Sequence, residues 1–171
     1  MDFEKIVKTR RSIRKYLNKD IEPEKINLIL EAGRFAPSAK NSQNWHFIVV
    51  NDKKIIFEIA KASSNQMFIS EAPIVIVACA TENERVMQCG QYAYTVNLSI
   101  AMTFMICQAW ELGIGSCWIG AFDESMIKKI LKIPEKIKVV SLSPFGYPAE
   151  EPTARMRKDI NEIVSYNEYK V

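Results

Sequence analysis

The chain is short of the residues that most active sites use as acids, nucleophiles or metal ligands. Its 171 residues include a single histidine, His46, and four cysteines with no C-x-x-C spacing. A Ser–His or Cys–His arrangement therefore lacks its other parts, and a metal site has no ligand cluster to draw on. Cys79, Cys89, Cys107 and Cys117 lie in apolar segments and read as reduced core thiols. Charge of one sign is also scarce. The 23 basic residues nearly balance the 20 acidic ones, leaving a net +3. That argues against the one-sided basic face of a nucleic-acid binder. The longest apolar run, Leu98 to Ala109, is interrupted by Ser99, Thr103 and Gln108. It falls short of the roughly 18 residues a membrane span needs, so a membrane protein is not expected. Met1 to Lys8 is charged and amphipathic, not a basic segment followed by an apolar one. No secretory signal is read there, and the expected compartment is cytoplasmic.

What is present suits a folded domain: 48% hydrophobic and 25% charged residues, with no repeat or linker to divide residues 1–171. Phe3, Ile6 and Val7 predict a short helix ending at Arg10. Pro23 to Phe35 follows with Ile26, Ile29, Leu30 and Gly33 on one face, Pro23 suiting its first turn. His46 to Asn51 is strand-like, and Lys53 to Ala62 returns to helical spacing. Ile74 to Ala80 has the continuous apolar character of a strand buried on both faces. Gln88 to Leu112 predicts a long helix, apolar nearly all round and stopped by Gly113. Ser116 to Ile119 is a short strand, Asp123 caps a further helix, and Lys138 to Leu142 is a last strand. The class is α+β or α/β, a sheet covered by helices. A helix apolar on every side points to an obligate dimer that buries its remaining face.

Four segments carry chemistry. R-R-S-I-R, Arg10 to Arg14, offers planar guanidinium forks and a hydroxyl that match the oxygens of a phosphate monoester; the alternative is a solvated basic turn. A-P-S-A-K-N-S-Q-N-W, Ala36 to Trp45, concentrates Ser38, Asn41, Ser42, Gln43 and Asn44 before a strand. Its amides suit the alternating carbonyl and N–H edge of a uracil-like ring, or else bond locally as an ordinary polar loop. In G-I-G-S-C-W-I-G-A-F, Gly113 and Gly115 read as a helix stop and turn, while Gly120 and Ala121 permit close approach of a flat ligand. T-A-R-M-R-K-D, Thr153 to Asp159, is a second basic stretch able to grip a phosphate or to remain solvated. Trp118, Phe122 and Tyr147 read as core packing or cleft lining, and His46 as a structural or surface residue.

Taken in order, these segments resemble the nitroreductase family of FMN-dependent enzymes, particularly its smaller single-domain members. The resemblance runs from R-R-S-I-R through A-P-S-A-K-N-S-Q-N-W and Ile74–Ala80 to L-G-I-G-S-C-W-I-G-A-F. It closes with G-Y-P-A-E-E-P and the pair Arg157 and Lys158. It implies an α+β fold with a mixed central β-sheet flanked by helices, and an intertwined homodimer with FMN at the interface. By resemblance, Arg10, Arg11 and Ser12 hold the phosphate and ribityl chain with Arg157 and Lys158, and Arg14 faces the flavin pyrimidine ring. Pro37, Ser38, Ala39 and Asn41 match the loop that reaches the flavin from the partner subunit. Gly120 and Ala121 match backbone contacts near the ring, and Asn65 a side-chain amide at its pyrimidine edge. The family usually has proline after the Gln of N-x-Q; Asn44 stands there instead, which bears on loop rigidity and substrate preference but not on phosphate binding.

The activity so implied passes electrons from NADH or NADPH through bound FMN to a small organic acceptor such as a nitroaromatic or quinone, with no protein nucleophile. A cation at Arg14 would stabilise negative charge gained by the flavin. A dehydrogenase or dehalogenase for one metabolite, or a non-catalytic flavin carrier or sensor, are the alternatives.

Overall fold

A computed structural model of the chain describes residues 2–169; Met1, at the head of the charged N-terminal segment, lies outside them. Helix α1 spans Phe3–Thr9, capped by Asp2, whose carboxylate accepts from Lys5 N–H. Helix α2, Pro23–Arg34, places proline in its first turn, where no intrahelical N–H is needed. Strand β1 covers Trp45–Val50, and helix α3, Lys53–Ala62, starts at Asp52, which accepts from Lys54 and Ile55 N–H. Such a cap is worth about 1 kcal/mol. Strand β2 is Ile74–Ala80, helix α4 Ala93–Glu111, strand β3 Gly115–Ser116, helix α5 Glu124–Leu131 and strand β4 Lys138–Gly146.

The strands form one sheet in the order β1-β2-β4-β3. Every residue of β2 is buried, because apolar layers cover both faces. Val75, Val77 and Cys79 point to the layer of α3 and α5, packing with Ile56, Ile59 and Ile127. Ile74, Ile76, Ala78 and Ala80 point to the layer of α2 and α4, with Ile29, Leu98, Met102 and Met105. Each fully buried side chain of this size contributes roughly 1.5–3 kcal/mol. Gly33 lets α2 approach α4 closely, since a Cβ there would lie 3.0 Å from Met105 Cγ.

The α+β class holds, with differences of detail. The named strands pair antiparallel throughout, and the parallel component of the expected mixed sheet is one bridge, Ser12 to Ser116. Helix α4 begins at Ala93 rather than Gln88 because residues 86–92 close a turn on Gly90, at φ 87°, with Met87 N–H donating to Gln91 O. Strand β3 stops after Ser116: the Ser143 hydroxyl donates to Cys117 O at 2.9 Å, and pairing resumes only at the Ile119–Leu142 bridge. Strand β4 runs on through Pro144 to Gly146. Proline is tolerated there because β3 pairs only with Phe145 and Gly146. Beyond Pro152 the chain leaves the core, and among the described residues it forms only a short 3-10 turn at Ile160–Glu162. Among the described residues no helix is long and apolar enough to cross a membrane.

Candidate functional site

The site begins with residues 10–16, which run beside the β3 end of the sheet. Ile13 N–H donates to Ser116 O at 2.9 Å, and Tyr16 bridges Pro148. Ile13 is buried, and its neighbours Ser12 and Arg14 turn to the opposite side of the extended chain; Tyr16, three residues on, is buried again. The Tyr16 hydroxyl donates to Ile13 O at 2.7 Å, and burial raises its pKa well above the ordinary phenol value. It is a fixed donor, not an acid.

Gly115 makes this approach possible: a Cβ there would sit 2.6 Å from Ile13 Cγ1 and 2.9 Å from Ile13 Cβ. Gly115→Ala is therefore expected to push residues 12–14 off the sheet, cost about 1–3 kcal/mol and weaken anion binding by the neighbouring arginines. Thermal melts and FMN titration of the variant check both effects.

The far end of the chain returns to the same place. Leu17 N–H donates to Tyr147 O and Ala149 N–H to Lys15 O, each at 2.9 Å, and Arg14 N–H donates to the Glu150 carboxylate. Tyr147 serves as a latch rather than as cleft lining. Its hydroxyl donates to Glu22 and accepts from Lys25 Nζ at 2.7 Å, and that hydroxyl pulls the Glu22 carboxyl down to about 2. The two segments enclose a hollow of about 440 Å³, lined by Arg10, Arg11, Ser12 and Arg14 on one side and Glu150, Pro152, Thr153, Arg155 and Arg157 on the other. Among the described residues Arg10, Arg14, Arg155 and Arg157 form no ion pair. Arg11 is partly occupied, its guanidinium donating to Lys8 O and Arg10 O at the C-terminus of α1, where the helix dipole favours a cation.

A second hollow of about 370 Å³ adjoins it, sharing Arg10 and Ser12 and adding Ser99, Thr103 and Ile106 of α4, Ser116 and Trp118. Trp118 is half-exposed here and folds over Gly120, whose missing Cβ would lie 2.7 Å from the indole. Gly120 and Ala121 are exposed, and Ala121 O accepts from Gln66 Nε2 at 3.3 Å. Asn65, exposed at φ 56°, occupies the same turn. Phe68 follows, its ring 5.9 Å from the Arg14 guanidinium. A rim is thus marked by Phe68 beside Arg14, by the Asn65–Gln66 turn that meets Ala121, and by Trp118 packed on Gly120.

Two expected groups stand outside that rim. Lys158 lines a different hollow, with Glu162 and Tyr169 of its own segment. Pro37, Ser38, Ala39 and Asn41 line neither of the hollows that hold Arg10. Their loop is attached to Asn97, which lies about 200° around α4 from Ser99. The sequence offered Thr153 and Arg155 only as part of T-A-R-M-R-K-D and Glu150 only within G-Y-P-A-E-E-P, with no individual role; the structure sets all three on the hollow. His46 is exposed on β1.

The sequence profile of the Nitroreductase family matches residues 7–147. The "Putative NADH dehydrogenase/NAD(P)H nitroreductase" of Archaeoglobus fulgidus is 38% identical over 154 residues, covering 86% of each chain. A protein of the same description from Methanothermobacter thermautotrophicus is 33% identical over 167 residues, 95% of this chain and 86% of the relative. Among solved structures, an FMN-dependent nitroreductase from Clostridium difficile R20291 superposes with a TM-score of 0.85 at 32% identity, covering 98% of this chain and 100% of the other. The chain belongs to the nitroreductase family.

Proposed function

We propose that the protein is an FMN-dependent oxidoreductase that works as a homodimer, taking electrons from NADH or NADPH and delivering them to a small organic acceptor such as a nitroaromatic or quinone. The observation that carries this reading is the meeting of Arg10, Ser12 and Arg14 with Arg155 and Arg157 around one hollow. Guanidiniums left without carboxylate partners, together with two hydroxyls, are the donor set of a phosphate monoester. The half-exposed Trp118 indole, packed on Gly120 beside the adjoining hollow, offers an apolar surface for a flat ring. The residues present therefore fit FMN. The names of the relatives, which pair NADH dehydrogenase with NAD(P)H nitroreductase, and the FMN-dependent neighbour point the same way.

Bound FMN would supply two-electron transfer between nicotinamide and acceptor, chemistry for which no side chain here is suited. The chain's residues bind and orient. Arg10, Ser12 and Arg157 grip the phosphate, with Arg155 taking the position expected of Lys158 and Arg11 bracing the turn. Arg14 sets a fixed positive charge beside the pyrimidine edge, where low dielectric strengthens its effect on added negative charge. Asn65 offers an amide there, and Gly120 and Ala121 bring backbone close to the ring. Tyr16 and Glu150 hold the Arg14 segment in place.

A second copy completes the site. The Pro37–Asn41 loop lies away from its own arginines and is assigned to the partner's flavin. Phe3, Val7, Phe104 and Trp118 expose large apolar surfaces for that copy to cover. A cytoplasmic setting accords with four unpaired cysteines and a nicotinamide donor.

Purified protein is expected to be yellow and dimeric, to bleach when NADH or NADPH is added without oxygen, and to regain colour with a quinone or nitroaromatic. A bound flavin that neither nicotinamide reduces would instead indicate a carrier or sensor, and a colourless monomer in excess FMN would refute the assignment.

A further inference from the structure

The loop in which Asn44 replaces proline is held in an uncommon shape. Lys40, Asn41 and Gln43 have φ of 54°, 54° and 45°, in the left-handed region that non-glycine residues seldom enter. Several such residues in one short loop persist only where their surroundings over-determine them. The determining group is one amide, Asn97, 1% exposed on the buried stripe of α4. Its Oδ1 accepts from Ala39 N–H at 2.9 Å, and its Nδ2 donates to Asn44 Oδ1 at 2.8 Å and to Ser42 Oγ at 3.1 Å. Asn44, 4% exposed, is anchored in turn by its Nδ2 donating to Glu82 O at 3.1 Å. Ser38 Oγ accepts from Gln43 N–H at 3.1 Å and closes the loop on itself. Rotating the Asn97 amide would set a donor against Ala39 N–H, so the network admits one orientation.

We propose that Asn97 is a positioning residue for the cofactor. Through Asn44 and Ser42 it fixes residues 38–44 in the shape with which they address the flavin of the other subunit, and the paired amides restrict by hydrogen bonds a position at which the family relies on a proline ring. The proposal rests on the FMN reading above. The pair acts as a unit, because the two buried amides bond each other and share Ser42 Oγ, which accepts from Asn97 and donates to Asn44.

The test measures FMN affinity by fluorescence titration, and hydrogen exchange of the Ala39 and Gln43 amides, in the full-length dimer. Asn97→Leu, which keeps the branch at Cγ and removes the polar atoms, is expected to weaken FMN about tenfold, as loss of one buried hydrogen-bonded partner would, and to deprotect both amides. Asn44→Leu should do the same, and the double variant should be no weaker than either single one. Lys128→Met, which loosens a remote part of the fold, should leave affinity and loop exchange at wild-type values. Should Asn97→Leu fail to fold, Asn97→Asp accepts from Ala39 N–H but in its ionised form cannot donate to Asn44, and is expected to shift affinity in the same direction. Folded Asn97 variants with wild-type affinity and exchange would overturn the positioning role, as would equal loss of affinity in Lys128→Met. Wild-type protein that takes up no FMN would instead overturn the cofactor reading on which the proposal stands.

Discussion

Replacing Arg10 and Arg157 together with alanine is expected to give a folded, dimeric and largely colourless protein. The two side chains come from opposite ends of the sequence and face one hollow. Neither forms an ion pair among the described residues, so removing both strips the grip without leaving a buried charge behind. A charge-assisted hydrogen bond contributes about 1.5–3 kcal/mol. Loss of two should weaken FMN by about 3 kcal/mol or more, at least roughly a hundredfold. Riboflavin, which lacks the phosphate, supplies the control: its weaker binding should be unchanged by the double replacement. Absorbance spectra, size-exclusion chromatography and fluorescence titrations with both flavins decide the matter. Stoichiometric FMN retained through purification would reject the arginine grip.

The second large effect concerns stability and lies far from that hollow. Lys128 is buried on α5, its ammonium donating to Glu135 O at 2.8 Å and lying 3.6 Å from the carboxylates of both Glu124 and Glu135. Glu124 in turn accepts from Val139 N–H at 2.9 Å and pairs with Lys138. One cation thus joins the end of α5, the following turn and the first residues of β4. Lys128→Met keeps the apolar stem and removes the charge, leaving a carbonyl and the Glu124 carboxylate short of a partner. The expected loss is about 3 kcal/mol, at the low end for a broken buried pair because Glu135 is open to water. For a domain of this length that corresponds to a melting temperature lower by roughly 6–12 °C. Urea denaturation at fixed protein concentration measures it. A change within a few tenths of a kcal/mol would show that the ion pairs are no better than solvated ones.

The sequence was most legible where one physical signal dominated. An unbroken apolar run made β2 a buried central strand, and proline and aspartate marked the starts of α2 and α5. The order of the arginine and amide segments identified the family, and R-R-S-I-R and T-A-R-M-R-K-D do face each other. Other features depend on partners distant in the chain and leave little local trace. The start of α4 was misjudged because Val86 bridges Tyr92 across Gly90 and takes residues that helical spacing had included. Arg155, not Lys158, lines the hollow because alternate residues Thr153, Arg155 and Arg157 face it, while Lys158 turns to its own segment. Asn97 went unremarked as one amide in an apolar helix. Its lone polarity on the buried stripe was the available signal, and its meaning required the loop it holds.

The arginine hollow also sets an order of events in the life of the chain. Arg10 and Ser12 are synthesised before any strand of the sheet, and Arg155 and Arg157 only after the last of them. With the proposed grip, a phosphate is held from both sides only once all four strands have been made. A phosphate held there as proposed would tie residues 10–14 to residues 150–157, so a protease that trims the segment beyond Pro152 should cut the empty form far faster than the loaded one.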